Sequence, residues 1–138
     1  MPNGSADAAA GAPNPESYTD NGDGTVTDNV TKLMWQQNVA PTKYTWANAS
    51  AYCATLTLAG HADWRLPSII ELISIIEPAA AAPNAAVNAT AFPGAPGSYV
   101  WSSTAVPGAP SVWCVVFAEG TVYTTSATST TVDSRCVR

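Results

Sequence analysis

The stretch Asp63-Trp64-Arg65-Leu66-Pro67-Ser68 constrains the fold more than any other, because it fixes where a buried helix begins. Ser68 followed three residues later by Glu71 is a capping box, in which each side chain accepts from a backbone N–H that the first turn leaves orphaned. Ile69, Leu72, Ile73 and Ile76 then recur at helical spacing and define a buried face. Trp64, Leu66 and the fixed φ of Pro67 set the angle at which the chain approaches. Glu71 and Ser74 mark the wet side, and Glu77 is expected at the surface. Ile70 and Ile75 widen the apolar arc beyond one stripe, as in a helix covered from more than one direction.

A chain of 138 residues suits one domain around such a core. Ten acidic against five basic residues give a formal charge of −5, and Lys32, Lys43, Arg65, Arg135 and Arg138 form no run. Nucleic acid and anionic membranes are therefore poor partners. No apolar stretch reaches the roughly 20 residues that span a bilayer, so no direct membrane insertion is expected. The first residues lack the basic and apolar regions of a signal peptide, so a soluble chain is expected, its export signal removed or never present. Three cysteines, Cys53, Cys114 and Cys136, cannot all pair within one molecule, and the count alone leaves three pairings open.

Residues 1–17, rich in Ala, Gly, Pro and Asn, read as a flexible lead, with the domain proper spanning 18–138. Asn21-Gly22 and Asp23-Gly24 are turn dipeptides, Thr25-Val26-Thr27 is a strand, and Leu33-Met34-Trp35 returns beside it after a turn at residues 29–32. A calcium loop fits poorly here, since either frame of the Asn21–Asp28 stretch lacks the terminal bidentate carboxylate. Thr45 is placed to cap a helix from Trp46, with Trp46, Ala49, Cys53 and Leu56 on its buried stripe and Gly60 ending it. Pro78 to Gly97 is a long aperiodic loop anchored by Phe92. Strands follow at Tyr99–Ser103, Val112–Phe117, Thr121–Thr125 and Val132–Val137. A hairpin, two helices and a C-terminal group of antiparallel strands make an α+β fold.

Y-T-D-N-G-D-G-T-V-T-D-N-V-T-K-L-M-W-Q, A-Y-C, L-T-L-A-G-H-A-D-W-R-L-P-S-I-I-E-L, Y-V-W-S-S-T, W-C-V-V-F-A-E-G-T-V and the terminal R-C-V-R stand in an order that resembles the C-terminal domain of bacterial collagen-like adhesins. The resemblance runs from about Tyr18 to Arg138. More distantly the chain is similar to the variable proteins diversified by retroelements, and to formylglycine-generating enzymes, which share the R-L-P-S/T helix start. The resemblance implies a C-type lectin-like fold and a disulfide from the first helix to the last strand, Cys53 to Cys136. Such a bridge implies folding outside the reducing cytosol, hence an extracellular or cell-surface domain. Cys114 is then left over, where the family pattern often has an aromatic or polar residue, and Lys32 stands where the early turn usually has Gly.

Enzyme chemistry has little to draw on. His61, the sole histidine, sits in a loop with no partner nucleophile implied by the sequence. Cys53, Cys114, Cys136 and His61 lack the short ligand spacing of a zinc site. The oxidase-like relatives use two cysteines close together near the C-terminus, whereas Cys114 and Cys136 lie farther apart. E-P-N, Q-P-D and W-N-D, the calcium-dependent sugar motifs, are absent. The expectation is a non-catalytic ligand-binding module without cofactor or metal. In one version it is the display head of a diversified receptor for protein or peptide partners; in the other, an adhesin domain for glycans or sulfated polysaccharides. A formylglycine-generating-like oxidase is the third reading.

The binding surface is expected in the C-terminal third. The resemblance implies large or bridging residues at Trp101, Trp113, Val115, Phe117, Val122 and Cys136, and period-two alternation puts Trp113, Val115 and Phe117 on one face, so these are assigned inward. The displayed patch is then Ala105, Val106 and Pro107, the opposite strand positions Val112, Cys114 and Val116, and Ala118, Glu119, Thr121, Tyr123, Thr124 and Thr125 around the following turn. The bland alternative packs Val112 and Val116 under the Pro78 to Gly97 loop.

Overall fold

In the computed structural model the described residues are 16–77, 87–93 and 99–138. Most of the lead expected at residues 1–17 and most of the Pro78–Gly97 loop lie outside them. The described chain is α+β, with two three-stranded antiparallel sheets and two helices. The first sheet holds β1 (Tyr18–Asp20), β2 (Thr25–Asp28) and β3 (Met34–Gln36) in that order. Helices α1 (Trp46–Thr55) and α2 (Ile69–Ser74) follow. The second sheet holds β4 (Tyr99–Ala105), β5 (Ser111–Val116) and β6 (Thr121–Ser126), again in chain order.

Side-chain chemistry makes the turns of the first sheet. Asp20 accepts from the Gly22 N–H at 2.8 Å, Asp23 from the Thr25 N–H at 3.1 Å, and Gly22 and Gly24 take the positive φ that the turn requires. In the next turn Asp28 accepts from the Val30 and Thr31 amides and the Thr31 hydroxyl. Lys32 there has φ 66°, a left-handed conformation that costs a side-chain-bearing residue about 1 kcal/mol. The β2–β3 hairpin is the expected one, and β1, a strand beyond that expectation, pairs with β2 along its whole length.

The capping box at Ser68 is present in full: the Ser68 hydroxyl accepts from the Glu71 N–H and the Glu71 carboxylate from the Ser68 N–H. The same carboxylate holds Arg65 through two bonds of 2.7 and 2.8 Å, so one acid ties the approach strand to the first turn. Leu72, Ile75 and Ile76 are buried, but Ile70 is 70% exposed, because a six-residue helix lies on the core by one side only. Glu77, expected at the surface, is buried at 9% exposure. It follows two buried isoleucines beyond the helix end, where the chain runs along the core and helical phase no longer governs exposure. α1 stops at Thr55, well before Gly60, which instead supplies the positive φ in a turn closed by mutual Leu58 and His61 backbone bonds. Thr45 makes no side-chain cap bond.

Two apolar clusters fill the interior. One joins Val26 and Trp35 of the first sheet to Leu72, Ile75, Phe92, Val100, Val115 and Phe117. The other joins Ala49 and Cys53 of α1 to Trp64, Leu66, Trp101, Val112, Cys114 and Cys136. Between them runs the C-terminal segment, which is not the regular strand expected at Val132–Val137. It makes isolated bridges in succession to Tyr44, Val100, Trp35 and Arg65, a path dictated by having several different neighbours. Cys53 and Cys136, the pair implied by the family resemblance, are joined by a disulfide across 83 residues. Closing a loop of that length stabilises the fold by about 4 kcal/mol in the chain-entropy picture.

Two predictions follow from this core. Leu72→Ala should cost about 2–5 kcal/mol in chemical denaturation, whereas Ile70→Ala should stay within about 0.5 kcal/mol; equal costs would refute the assigned face. The Glu71 carboxyl is held below its ordinary pKa, chiefly by its hydrogen bonds from Arg65. Its contribution is therefore complete above the unfolded carboxyl value of about 4.3 and is lost as pH falls through the folded value. Glu71→Gln should flatten the acid limb of the stability curve, read by denaturant midpoints from pH 6 down to about pH 2.5.

Candidate functional site

The second sheet is a middle layer, and this decides what it can display. Residues paired across antiparallel strands share a face, so the register of Trp101 with Cys114 and Tyr123 sets these three on one side, and that of Val100 with Val115 and Val122 sets those on the other. The Val100 side meets α2 and the first sheet, and the Trp101 side meets α1 and the disulfide.

Val112, Cys114 and Val116, expected on a displayed face, are accordingly buried, at 1%, 0% and 6% exposure. Val112 and Cys114 pack with Trp101, Ala49 and Cys53, while the described loop residues Val87, Ala91 and Phe92 belong to the other cluster. Val116 lies between strands whose Tyr99 and Tyr123 rings meet edge to face, 5.7 Å apart, on its own side of the sheet. Burial also pushes the Cys114 thiol up to about 11, and its sulfur points at the Tyr123 carbonyl at 3.5 Å. Of the positions assigned inward, Trp101, Val115, Phe117 and Cys136 are buried, while Trp113 and Val122 are half-buried.

What remains outside is split between the two ends of the sheet. Exposed Ala105 and Pro107 and half-buried Val106 lie at the β4–β5 turn, beside Ser111 and the end of β6. Exposed Glu119, Thr121 and Tyr123 and half-buried Ala118 lie at or near the β5–β6 turn, with exposed Thr124 and half-buried Thr125 farther along β6. Tyr99, absent from the expected patch, belongs to it: at 39% exposure it stands beside Tyr123 at 41%. Only cross-strand register brings these two together, so sequence spacing could not show it. Next to them the Glu119 carboxylate accepts from the Tyr123 hydroxyl at 3.0 Å and the Thr121 hydroxyl at 3.1 Å. The result is an aromatic pair with an oriented carboxylate and flanking hydroxyls. Glu119 is the sole charged residue from Tyr99 to Thr131.

A second concavity, of about 320 Å³, lies by β1 and is lined by Glu16, Tyr18, Asp20, Asn88, Thr90 and Ala91. Its acids already have partners: Glu16 accepts from Asn88, and Asp20 from the Gly22 amide and Gln37. Burial, and then the nearby Glu77 and Asp28 charges, raise the Glu16 pKa. His61 is half-buried in its turn. Among the described residues no group of three or more His, Cys, Asp or Glu side chains is arranged to hold a metal ion.

Positive charge is largely spent inside the fold. Arg65 pairs with Glu71, Arg138 with Asp63 through bonds of 2.6 and 3.0 Å, and Lys43 with Asp133 at 3.6 Å. Arg135 is buried, its guanidinium donating to the Gln36 and Gln37 carbonyls and stacked 4.7 Å from the Phe92 ring centre.

Among protein families, the one described as the Lcl C-terminal domain matches residues 24–138. No curated protein matches the chain.

The site geometry predicts an inert thiol. Iodoacetamide at pH 8 should leave Cys114 unmodified in the native protein and label it fully in denaturant without reductant, as read by intact mass. Rapid native labelling would contradict the burial of this face.

Proposed function

The chain belongs to the Lcl C-terminal domain family, and from that premise we propose a non-catalytic, adhesin-type domain that binds a protein or peptide ligand on its C-terminal sheet. The observation that carries this reading is the exposed Tyr99–Tyr123 pair beside Glu119, the one charged residue between Tyr99 and Thr131. Tyrosines offer large, stiff contact area with a polar tip, which is why they concentrate at interface hot spots. The state of the cations argues against sulfated polysaccharides, since four of the five are paired or buried. Polyanion binding needs free positive charge.

A neutral glycan is the second reading, favoured by the same aromatic faces flanked by hydroxyls and a carboxylate. The bond from Cys136 to Cys53 and the burial of Cys114 support the binding reading over the oxidase one. The fold is read as C-type lectin-like on the strength of the bridge from the first helix to the C-terminal segment. That bridge supports an extracellular or cell-surface location. Glu119, Thr121, Tyr123 and Thr124 are exposed and can vary without disturbing either cluster, which supports the display head of a diversified receptor. A neighbouring reverse transcriptase gene with a template repeat would test that last point.

Binding is tested by peptide-display selection, neutral-glycan arrays and heparin chromatography in parallel. The expected ligand is a peptide, with elution from heparin below physiological salt. Tyr123→Ala should weaken the selected interaction at least about 30-fold, a hot-spot loss of about 2 kcal/mol, while the melting temperature moves by only a few degrees. Retention on heparin above physiological salt, or binding indifferent to Tyr123→Ala, would refute the proposal.

A further inference from the structure

The two edges of the second sheet are treated differently. In an antiparallel strand, successive residues turn their backbone N–H and C=O groups to opposite neighbours. On β4 the outward groups are satisfied: Trp101 N–H donates to the Asp133 carbonyl and the Asp133 N–H to the Tyr99 carbonyl, each at 3.1 Å, and the Ser103 N–H to the Pro67 carbonyl at 2.7 Å. Val100 therefore faces β5 and its partner Val115 faces β4, so Cys114 and Val116 face β6. Their partners Tyr123 and Thr121 face back, and Val122, Thr124 and Ser126 must turn their backbone groups away from the sheet. The bond from the Ala127 N–H to the Pro110 carbonyl has the same parity. Among the described residues nothing hydrogen-bonds those outward groups. Nor is the edge guarded, since β6 has no proline, no charge and an unbroken register over six residues. Open edges of soluble proteins usually carry such guards.

We infer that β6 pairs antiparallel with β6 of a second copy, about a two-fold axis through Thr124, joining two three-stranded sheets into one of six. The edge is complementary to itself. Its outward residues are symmetric about Thr124, so this register sets Thr124 against Thr124 of the partner subunit and Val122 against Ser126 of the partner subunit, with every outward group matched. Tyr123 falls beside Thr125 of the partner subunit, and aromatic with β-branched and Thr with Thr are favourable cross-strand pairs. Charge permits it in spite of the net −5. Glu119, the one nearby charge, falls opposite Ser129 of the partner subunit, so no acid meets an acid. A two-fold normal to the sheet keeps both Tyr99–Tyr123 pairs on one side. The dimer therefore presents two copies of the proposed ligand surface in the same direction, and a surface carrying repeated ligand would be held with avidity.

Sedimentation velocity of the whole chain from about 10 µM to 1 mM tests this. A short strand edge is small for an interface, so the dissociation constant should be on the order of 100 µM. Thr124→Pro removes an outward N–H that β5 does not use, and should raise that constant at least about tenfold. Thr124→Ala should leave it within about threefold. Hydrogen exchange on the unaltered chain serves if the proline variant does not fold. The Val122, Thr124 and Ser126 amides should exchange at least about tenfold more slowly at the higher concentration, while Tyr123 and Thr125 stay unchanged. A monomer at every concentration, or a dimer insensitive to Thr124→Pro with those three amides unprotected, would overturn the inference. The dimer is independent of the ligand reading and survives its failure.

Discussion

Burial of residues 132–137, next to the C-terminal residue, is the constraint on which the rest of the structure depends. Val132 through Val137 are buried in an unbroken run, and their backbone groups are shared among parts of the fold that otherwise touch little. Val132 exchanges bonds with Tyr44, Asp133 closes the β4 edge, Cys136 accepts from Gln36, and Val137 exchanges with Arg65. Gln36 reaches in two directions, accepting from the Cys136 N–H and donating to the Tyr52 hydroxyl on α1. Arg135 completes the joint. Burial lowers its pKa to about 10, so it remains charged at neutral pH, and two backbone carbonyls and the face of Phe92 replace part of the water it has lost, its Nε having no hydrogen-bond partner among the described residues. The tail thus fastens the first sheet, both helices and the second sheet at once, and the disulfide keeps it there.

Closing the structure around its tail has a consequence for the surface. With clusters on both sides, β5 cannot display either face over most of its length, and recognition is left to the sheet's far end, the turn at Glu119 and the outer edge. These are the parts whose change leaves the clusters intact. A scaffold welded internally and open at one margin keeps the exposed rings pre-organised, so that binding has less ordering entropy to overcome.

Local chemistry was legible in the sequence, and neighbour relations were not. The capping box at Ser68 and the turns at Gly22 and Asp28 stand as read, because each is decided within a few residues. Alternation along β5 shows that two faces differ, but not that each meets a separate layer, so Val112, Cys114 and Val116 were misplaced. Val132–Val137 has strand composition and no single strand to pair with, and β1 is too short to be distinguished without β2 beside it. Ile70 and Glu77 reversed for one reason: a helix of six residues is too short for periodicity to govern its flanks. Tyr99 was missed because its partner lies two strands away.

Charge placement links the core to the kind of ligand the surface can hold. Arg65 and Arg138 each clamp a carboxylate that steadies the fold, Arg135 is sealed inside, and Asp20, Asp23 and Asp28 are occupied as acceptors within turns. The charges of this acidic chain thus serve its backbone more than its exterior. From Tyr99 to Thr131 only Glu119 carries charge, and two hydroxyls orient it. A surface of that kind gains little from long-range steering and little from ion release. Its selectivity must come from ring contact, from hydroxyl and carboxylate hydrogen bonds, and from the exposed backbone of β6, all of which act at van der Waals range and weaken little with added salt.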